Sequence, residues 1–264
     1  MKKIAAFVWC VALAMGGGSR AVAQDRDQLM QVSVIDALLA GEYDGLMTCG
    51  ELKQYGDFGI GTFDQLNGEM TVLDGEVYAV RPDGEVQRVA AEETTPFAVV
   101  TPFDADQVIR WARGPISYAD FQKQLQPHLP TLNHFYAVRV DGHFNRMKTR
   151  SVPRQEPPYP PLLEVVARQS EFNFEQVEGT LVGFWSPPFV KGVNVPGWHF
   201  HFLNTERTAG GHVLDFEFQA GQVTLDATPR IYIWLPETGS FLRTNLEPDR
   251  EGDLHTVEKD RSGR

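Results

Sequence analysis

Trp198-His199-Phe200-His201-Phe202, followed eleven residues after the second histidine by Gly210-Gly211-His212, holds the side chains of this chain best suited to chemistry. In an extended strand successive side chains alternate faces, so His199 and His201 project from one side and Trp198, Phe200 and Phe202 from the other. Leu203 to Gly211, with Asn204, Thr205, Glu206 and the Gly-Gly pair, reads as a hairpin turn. His212-Val-Leu-Asp-Phe-Glu-Phe then reads as the returning strand, with His212 on the face of Leu214, Phe216 and Phe218. Where the two histidine faces meet, three neutral imidazoles converge and leave a fourth position for water or substrate, as in a catalytic zinc site. Imidazole also suits copper, nickel and iron, so the three histidines alone leave the element open. They leave the chemistry open as well. A zinc hydrolase attacking an ester or lactone with activated water fits them. So does a non-enzymatic metal-binding β-domain, a reading that Trp111, Trp185, Trp198 and Trp234 could also serve as a carbohydrate surface.

Strands must carry these residues, and the text around them is strand-like. The spacing of Leu29, Val32, Ile35, Leu38 and Leu39 predicts a helix over residues 28–40, ended by Gly41. From Tyr43 to Val89 short alternating runs are separated by Gly56-Asp57, Asn67-Gly68, Asp74-Gly75 and Asp83-Gly84, which suggests a meander of hairpins. A buried strand over 96–101 is followed by two expected helices, 104–113 and 117–125, the second opened by Ser117 with Asp120 as a cap. Residues 133–140 and 144–152 read as two strands around an Asp141-Gly142 turn. Five prolines between Pro153 and Pro161 make an extended connector, and 162–169 a short helix. Five further strands, near 179–187, 198–203, 212–219, 221–227 and 230–236, have the regular spacing of a barrel or sandwich. The charged stretch 247–264 reads as disordered on composition.

Residues 1–23 read as a secretory signal peptide: Lys2 and Lys3, an apolar run from Ile4 to Met15 too short to span a bilayer, and Ala21-Val22-Ala23 before Gln24. The expected location is therefore exported, periplasmic or secreted. Cleavage removes Lys2, Lys3 and Arg20 and no acid, so 24 basic and 35 acidic residues become 21 and 35, and the formal net charge goes from -11 to -14. Such an acidic chain argues against nucleic acid or an anionic membrane as partner. Cys10 falls in the leader, which leaves Cys49 as a packed thiol and no intramolecular disulfide in the mature chain. There is no GxGxxG after a strand and no Walker-type loop, so no nucleotide cofactor is expected.

Four blocks in order, Gly59-Ile-Gly-Thr62-Phe-Asp-Gln-Leu-Asn-Gly-Glu69-Met, Phe135-Tyr-Ala-Val-Arg-Val-Asp-Gly142, Lys148-Thr-Arg150-Ser-Val-Pro-Arg-Gln155 and Gly197-Trp-His-Phe-His201 to Gly210-Gly-His-Val-Leu-Asp215, resemble the alpha-acetolactate decarboxylases. The likeness runs from about Leu38 to Glu258. It implies an α/β (α+β) fold of two lobes built on mixed and antiparallel β-sheets with few short helices, the C-terminal lobe barrel-like. On that reading residues 24–160 form the N-terminal lobe, 161–246 an antiparallel lobe with the metal-binding hairpin, and 247–264 a tail folding back toward the site. The resemblance further implies a homodimer and zinc on His199, His201 and His212. Glu69, Arg150 and Glu258 are the implied catalytic groups, with Thr62 and Arg150 on the substrate. The implied reaction is decarboxylation of 2-acetolactate to acetoin and carbon dioxide through a metal-stabilised enediolate, in acetoin and butanediol biosynthesis.

Overall fold

The computed structural model describes residues 26–258 apart from 113 and 238; the expected signal peptide, residues 1–23, lies outside the described residues. Seven strands form a mixed sheet in the spatial order β15 (Arg230–Trp234), β1 (Gln28–Val32), β8 (Ala98–Thr101), β3 (Phe58–Thr62), β4 (Glu69–Leu73), β5 (Glu76–Val80) and β6 (Val86–Arg88). Only the β1–β15 pair is parallel among the described strands of this sheet. A second, antiparallel sheet runs β10 (Ile116–Ser117), β14 (Gly210–Thr228), β11 (Phe135–Ser151), β12 (Ser170–Ser186), β13 (Gly197–Asn204), with β9 (Gln107–Trp111) also on β14. Strand β13 pairs back onto the start of β14, so β11, β12, β13 and β14 close a partial barrel at the histidines. Two short strands, β2 (Met47–Thr48) and β7 (Thr94–Thr95), pair beside the first sheet.

Side chains sort into three apolar layers around these two sheets. One face of the seven-stranded sheet packs Met30, Val72 and Val100 with Cys49 and Leu52 of α2 (Cys49–Leu52). Between the sheets, Ile60, Val80 and Val99 meet Ala137, Val182 and Phe184. This layer also takes residues of α1 (Ile35–Ala40), α4 (Leu162–Val166) and α5 (Glu251–Val257). On the far face of the second sheet Phe144, Phe200, Phe202, Phe216 and Phe218 pack under Phe121 and Leu125 of α3 (Tyr118–Leu125). Aliphatic burial of this kind stabilises by about 1.5–3 kcal/mol per large side chain.

Several sequence expectations are corrected. The expected helix over 28–40 is strand β1 followed by α1, because Ser33 takes a φ of 61° and breaks the run. Its 3–4 spacing also satisfies a strand buried on both faces. The expected helix 104–113 is strand β9, whose Ile109 and Trp111 alternate into the phenylalanine layer; residue 113 is outside the described residues. Asp141-Gly142 is no turn. It lies mid-strand in β11, where Gly142 faces Gly179 and Gly221 on the flanking strands and a Cβ would collide with Ala220. The runs 212–219 and 221–227 are likewise one strand, and 230–236 joins the first sheet instead of the second. The tail is ordered from Glu251 to Val257, since Leu254 and Val257 dock between the sheets.

Candidate active site

Register alone brings the key residues into one row. His201 is opposite His212, and His212 is opposite Arg150 on the next strand. His199 sits two residues along β13 from His201, on the same face, with Trp198, Phe200 and Phe202 on the other. The expected face-sharing of His212 with Phe216 and Phe218 fails. A register shift between Lys148 and Thr149 puts one extra residue into β14, so Val213, Phe216 and Phe218 share the far face while His212 turns inward. Gly211 makes this possible: its φ is 129°, and a Cβ there would meet the Arg150 carbonyl oxygen. The hairpin loop is tighter than Leu203–Gly211. The Asn204 side-chain oxygen accepts from the amides of Thr208 and Ala209 at 2.8 and 2.9 Å.

Strands β3 and β4 supply the opposite wall. Thr62 and Glu69 are register partners at the end of that hairpin. Thr62 Oγ1 donates to Gly68 O at 2.8 Å, and Gly68 has a φ of 98°, so the turn is locked where it delivers Glu69. Glu258, the C-cap of α5, closes the pocket from a third direction. All seven residues expected in the site, Thr62, Glu69, Arg150, His199, His201, His212 and Glu258, line this one cavity.

Its remaining wall is apolar, from Ile35, Leu38, Leu66, Phe97, Val152, Leu162 and Val257. Sequence reasoning did not assign these to the site. Leu38 and Leu162 had only the signal of a helix face, and nothing local marked Phe97.

Burial sets the charges. His199 falls to about 3 through desolvation and then the Arg150 charge. His201 and His212 fall well below the ordinary imidazole value, first through desolvation and then through the charges of Arg150 and the neighbouring histidines, with the Met70 hydrogen bond opposing the fall of His201. The rings are therefore neutral near pH 7. His201 Nδ1 donates to Met70 O at 2.7 Å, which leaves its Nε2 with a free lone pair. His199 Nε2 and His212 Nδ1 lie 3.0 Å apart, and His212 Nε2 is buried without a hydrogen-bond partner. One ligand atom from each ring falls within 4.8 Å of the others. Neutral rings, a tautomer fixed by a carbonyl and an orphaned ring nitrogen fit a bound metal ion.

The acids sit just outside this triangle. Glu69 Oε2 is 3.7 Å from His201 Nε2, and Glu258 Oε2 is 3.8 and 3.6 Å from His199 Nε2 and His212 Nε2. With neutral imidazoles these are not ion pairs. Desolvation raises Glu69 to about 7 against the lowering charge of Arg150, and Glu258 adds to the rise. Glu258 is likewise pushed up to about 7 by burial, with Arg150 opposing. Arg150 is 4% exposed, and its Nε has no hydrogen-bond partner. A buried guanidinium that makes no ion pair among the described residues, beside carboxyls that hold protons near neutrality, suits an anionic substrate that takes up a proton.

Comparison with known proteins gives the same direction. The model of the family described as alpha-acetolactate decarboxylase matches residues 29–248. An alpha-acetolactate decarboxylase of Methanosarcina mazei is 51% identical over 233 residues, covering 88% of this chain and 81% of that protein. One from Bacillus subtilis is 41% identical over 236 residues, covering 89% and 92%. The crystal structure of alpha-acetolactate decarboxylase from Bacillus subtilis strain 168 superposes with a TM-score of 0.86 at 40% identity, over 88% of this chain and all of that one.

Proposed function

The chain belongs to the alpha-acetolactate decarboxylase family and is a carboxy-lyase for a small-molecule substrate; on that premise we propose that it works on 2-acetolactate with zinc held by His199, His201 and His212. The observation that carries this reading is the convergence of three neutral imidazoles, an arginine with no ion pair among the described residues and two protonatable carboxyls in one cavity.

Loss of carbon dioxide from a 2-hydroxy-2-methyl-3-oxo acid leaves an electron pair on the carbon between hydroxyl and ketone. That pair delocalises onto the ketone as an enediolate. A zinc ion would supply Lewis-acid charge for the oxygens that become negative. Arg150 holds the substrate carboxylate, the role its buried, partnerless Nε fits. Glu69, with its proton retained to about pH 7, delivers it to one face of the planar intermediate, so acetoin of one handedness is formed. Thr62 fixes the turn that aims Glu69, and Glu258 faces the substrate hydroxyl from the tail. The apolar wall of Leu38, Leu66, Phe97 and Val257 excludes water and accommodates the methyl groups.

The proposal extends to export, on the leader-like residues 1–23, and to a homodimer, on the family resemblance. Acetoin and carbon dioxide release from racemic 2-acetolactate, before and after chelation and after zinc restoration, tests the reaction. Turnover lost with the chelator and regained with zinc is the expected result. A folded, zinc-loaded protein without turnover would overturn it.

A further inference from the structure

Arg150 and Lys148 lie two residues apart on β11 and so share a face, and on β12 the residue opposite Arg150 is Glu171. Two buried cations thus flank one carboxylate: Lys148 is 8% and Arg150 4% exposed. The directly opposed pair is not the one that forms. Lys148 Nζ reaches diagonally to Glu171 Oε2 at 3.0 Å, and the other carboxylate oxygen accepts from Gln169 Nε2 at 2.9 Å. Gln169 in turn offers Arg150 only a neutral amide oxygen, at a long 3.4 Å from Nη1. Among the described residues Arg150 makes no ion pair, although an acid sits across from it in the sheet.

We propose that Lys148 is a positioning residue that captures Glu171 and so keeps Arg150 unneutralised for the substrate carboxylate. The proposal rests on the reading of Arg150 as carboxylate binder. Glu171 is solvent-exposed but lies in the adjacent register position. A buried guanidinium turns readily to such a neighbouring carboxylate, and the Arg–carboxylate fork is the stronger pairing. Without the lysine ammonium, Glu171 and Arg150 pair with each other across the strands. The guanidinium is then drawn out of the cavity and its charge is cancelled. Gln169 completes the arrangement: its amide nitrogen is committed to Glu171, which leaves its oxygen, and not a charged group, beside Arg150.

The test compares Lys148→Met, Lys148→Arg, the double variant Lys148→Met/Glu171→Gln, Gln169→Glu and Arg150→Met, all zinc-loaded. The readouts are KM and kcat for 2-acetolactate and the inhibition constant of 2-hydroxyisobutyrate, a hydroxy acid with no ketone to accept the electron pair. Lys148→Met is expected to raise KM and the inhibition constant about tenfold or more, the loss of one charged hydrogen bond, with a smaller change in kcat. Lys148→Arg keeps both values, and the double variant regains most of the loss, which a merely structural lysine would not allow. Gln169→Glu, which places an acid against Arg150 directly, reproduces the defect even if Lys148→Met does not fold. A double variant as impaired as Lys148→Met, or unchanged binding in both Lys148→Met and Gln169→Glu, would overturn the proposal. If Arg150→Met weakens the inhibitor while those two variants do not, the carboxylate role of Arg150 stands and the role of Lys148 falls. If Arg150→Met itself leaves the inhibitor constant unchanged, both fall.

Discussion

His201 donates its Nδ1–H to the carbonyl oxygen of Met70 at 2.7 Å, a hydrogen bond that joins the inner strand β4 of one sheet to a side chain of the other. The contact fixes the tautomer that presents Nε2, and it ties the position of that nitrogen to the strand that begins with Glu69. A ligand so oriented contributes more affinity than a freely rotating one. Zinc added to chelated protein is therefore expected to raise the melting temperature by several degrees, because the ion binds the folded chain preferentially. His201→Ala should abolish that shift and weaken zinc by about 100-fold or more. Thermal melts with metal titration check this; an equal shift in the variant would remove His201 from the ligand set.

Glu69 is 5% exposed and its carboxyl keeps its proton up to about pH 7. Glu69→Gln preserves shape and removes the transferable proton. Turnover is expected to drop by about 100-fold or more, with zinc content unchanged. The residual acetoin should approach a racemate, since water then protonates either face. Chiral chromatography of the product distinguishes this from simple damage. Residual acetoin of undiminished handedness would assign the donor role elsewhere, with Glu258 the next group to test.

Much of this site was legible as a set of residue types and little of it as a surface. The HxH alternation survives in the structure because period two is a property of any extended strand, whatever its neighbours. The orientation of His212 was misread by the same rule, since one extra residue in β14 flips every side chain beyond it and no local signal marks a bulge at Leu214. Gly142 resembled a turn residue because a close approach of backbones and a reversal of the chain both select glycine. Strand β1 resembled a helix because Gln31, fully buried, interrupts the apolar text. Its amide is satisfied by Ser33 O, Val193 O and the Asn194 side chain, partners that lie far along the sequence or outside any pattern. The wall residues Phe97 and Leu66 come from separate segments of the chain, the bend before β8 and the turn after β3, and their meeting is a product of topology alone.

Far from the histidines, Asp226 on β14 is 1% exposed and raised to about 7. Burial is the main cause, the amide of Asp104 opposes it with a hydrogen bond at 3.1 Å, and the charges of Asp106, Asp104 and Asp27 add to the rise. An acid whose folded value lies above its unfolded 3.8 binds more protons when folded. Stability from this group is therefore greatest at low pH and is lost as pH rises from about 4 to about 7. Asp226→Asn removes that loss. The variant's advantage over the parent should grow across the window to at most about 4 kcal/mol. Urea melts at pH 5, 6 and 7.5 measure it, and a difference independent of pH would show that Asp226 ionises normally.

Glu258 reaches the pocket only because α5 is anchored on both sides. Leu254 and Val257 are 6% and 2% exposed in the layer between the sheets, where the helix packs against α4. Lys191 holds the approach to the helix through Asp249 at 2.9 Å and Glu251 at 2.7 Å. These ion pairs are solvent-exposed and contribute little, about 0–1 kcal/mol each, so the two apolar side chains carry the docking. Val257→Asp puts a carboxyl into that layer and should release the helix at a cost of a few kcal/mol, without unfolding either sheet. Turnover should fall about as far as in a chain ending at residue 249, while circular dichroism keeps its strand signal. Trypsin should then cut at Arg250. Truncation at residue 249 with full turnover would mean that Glu258 is a solvated acid at the rim of the pocket and that the three histidines, Glu69 and Arg150 suffice for the reaction.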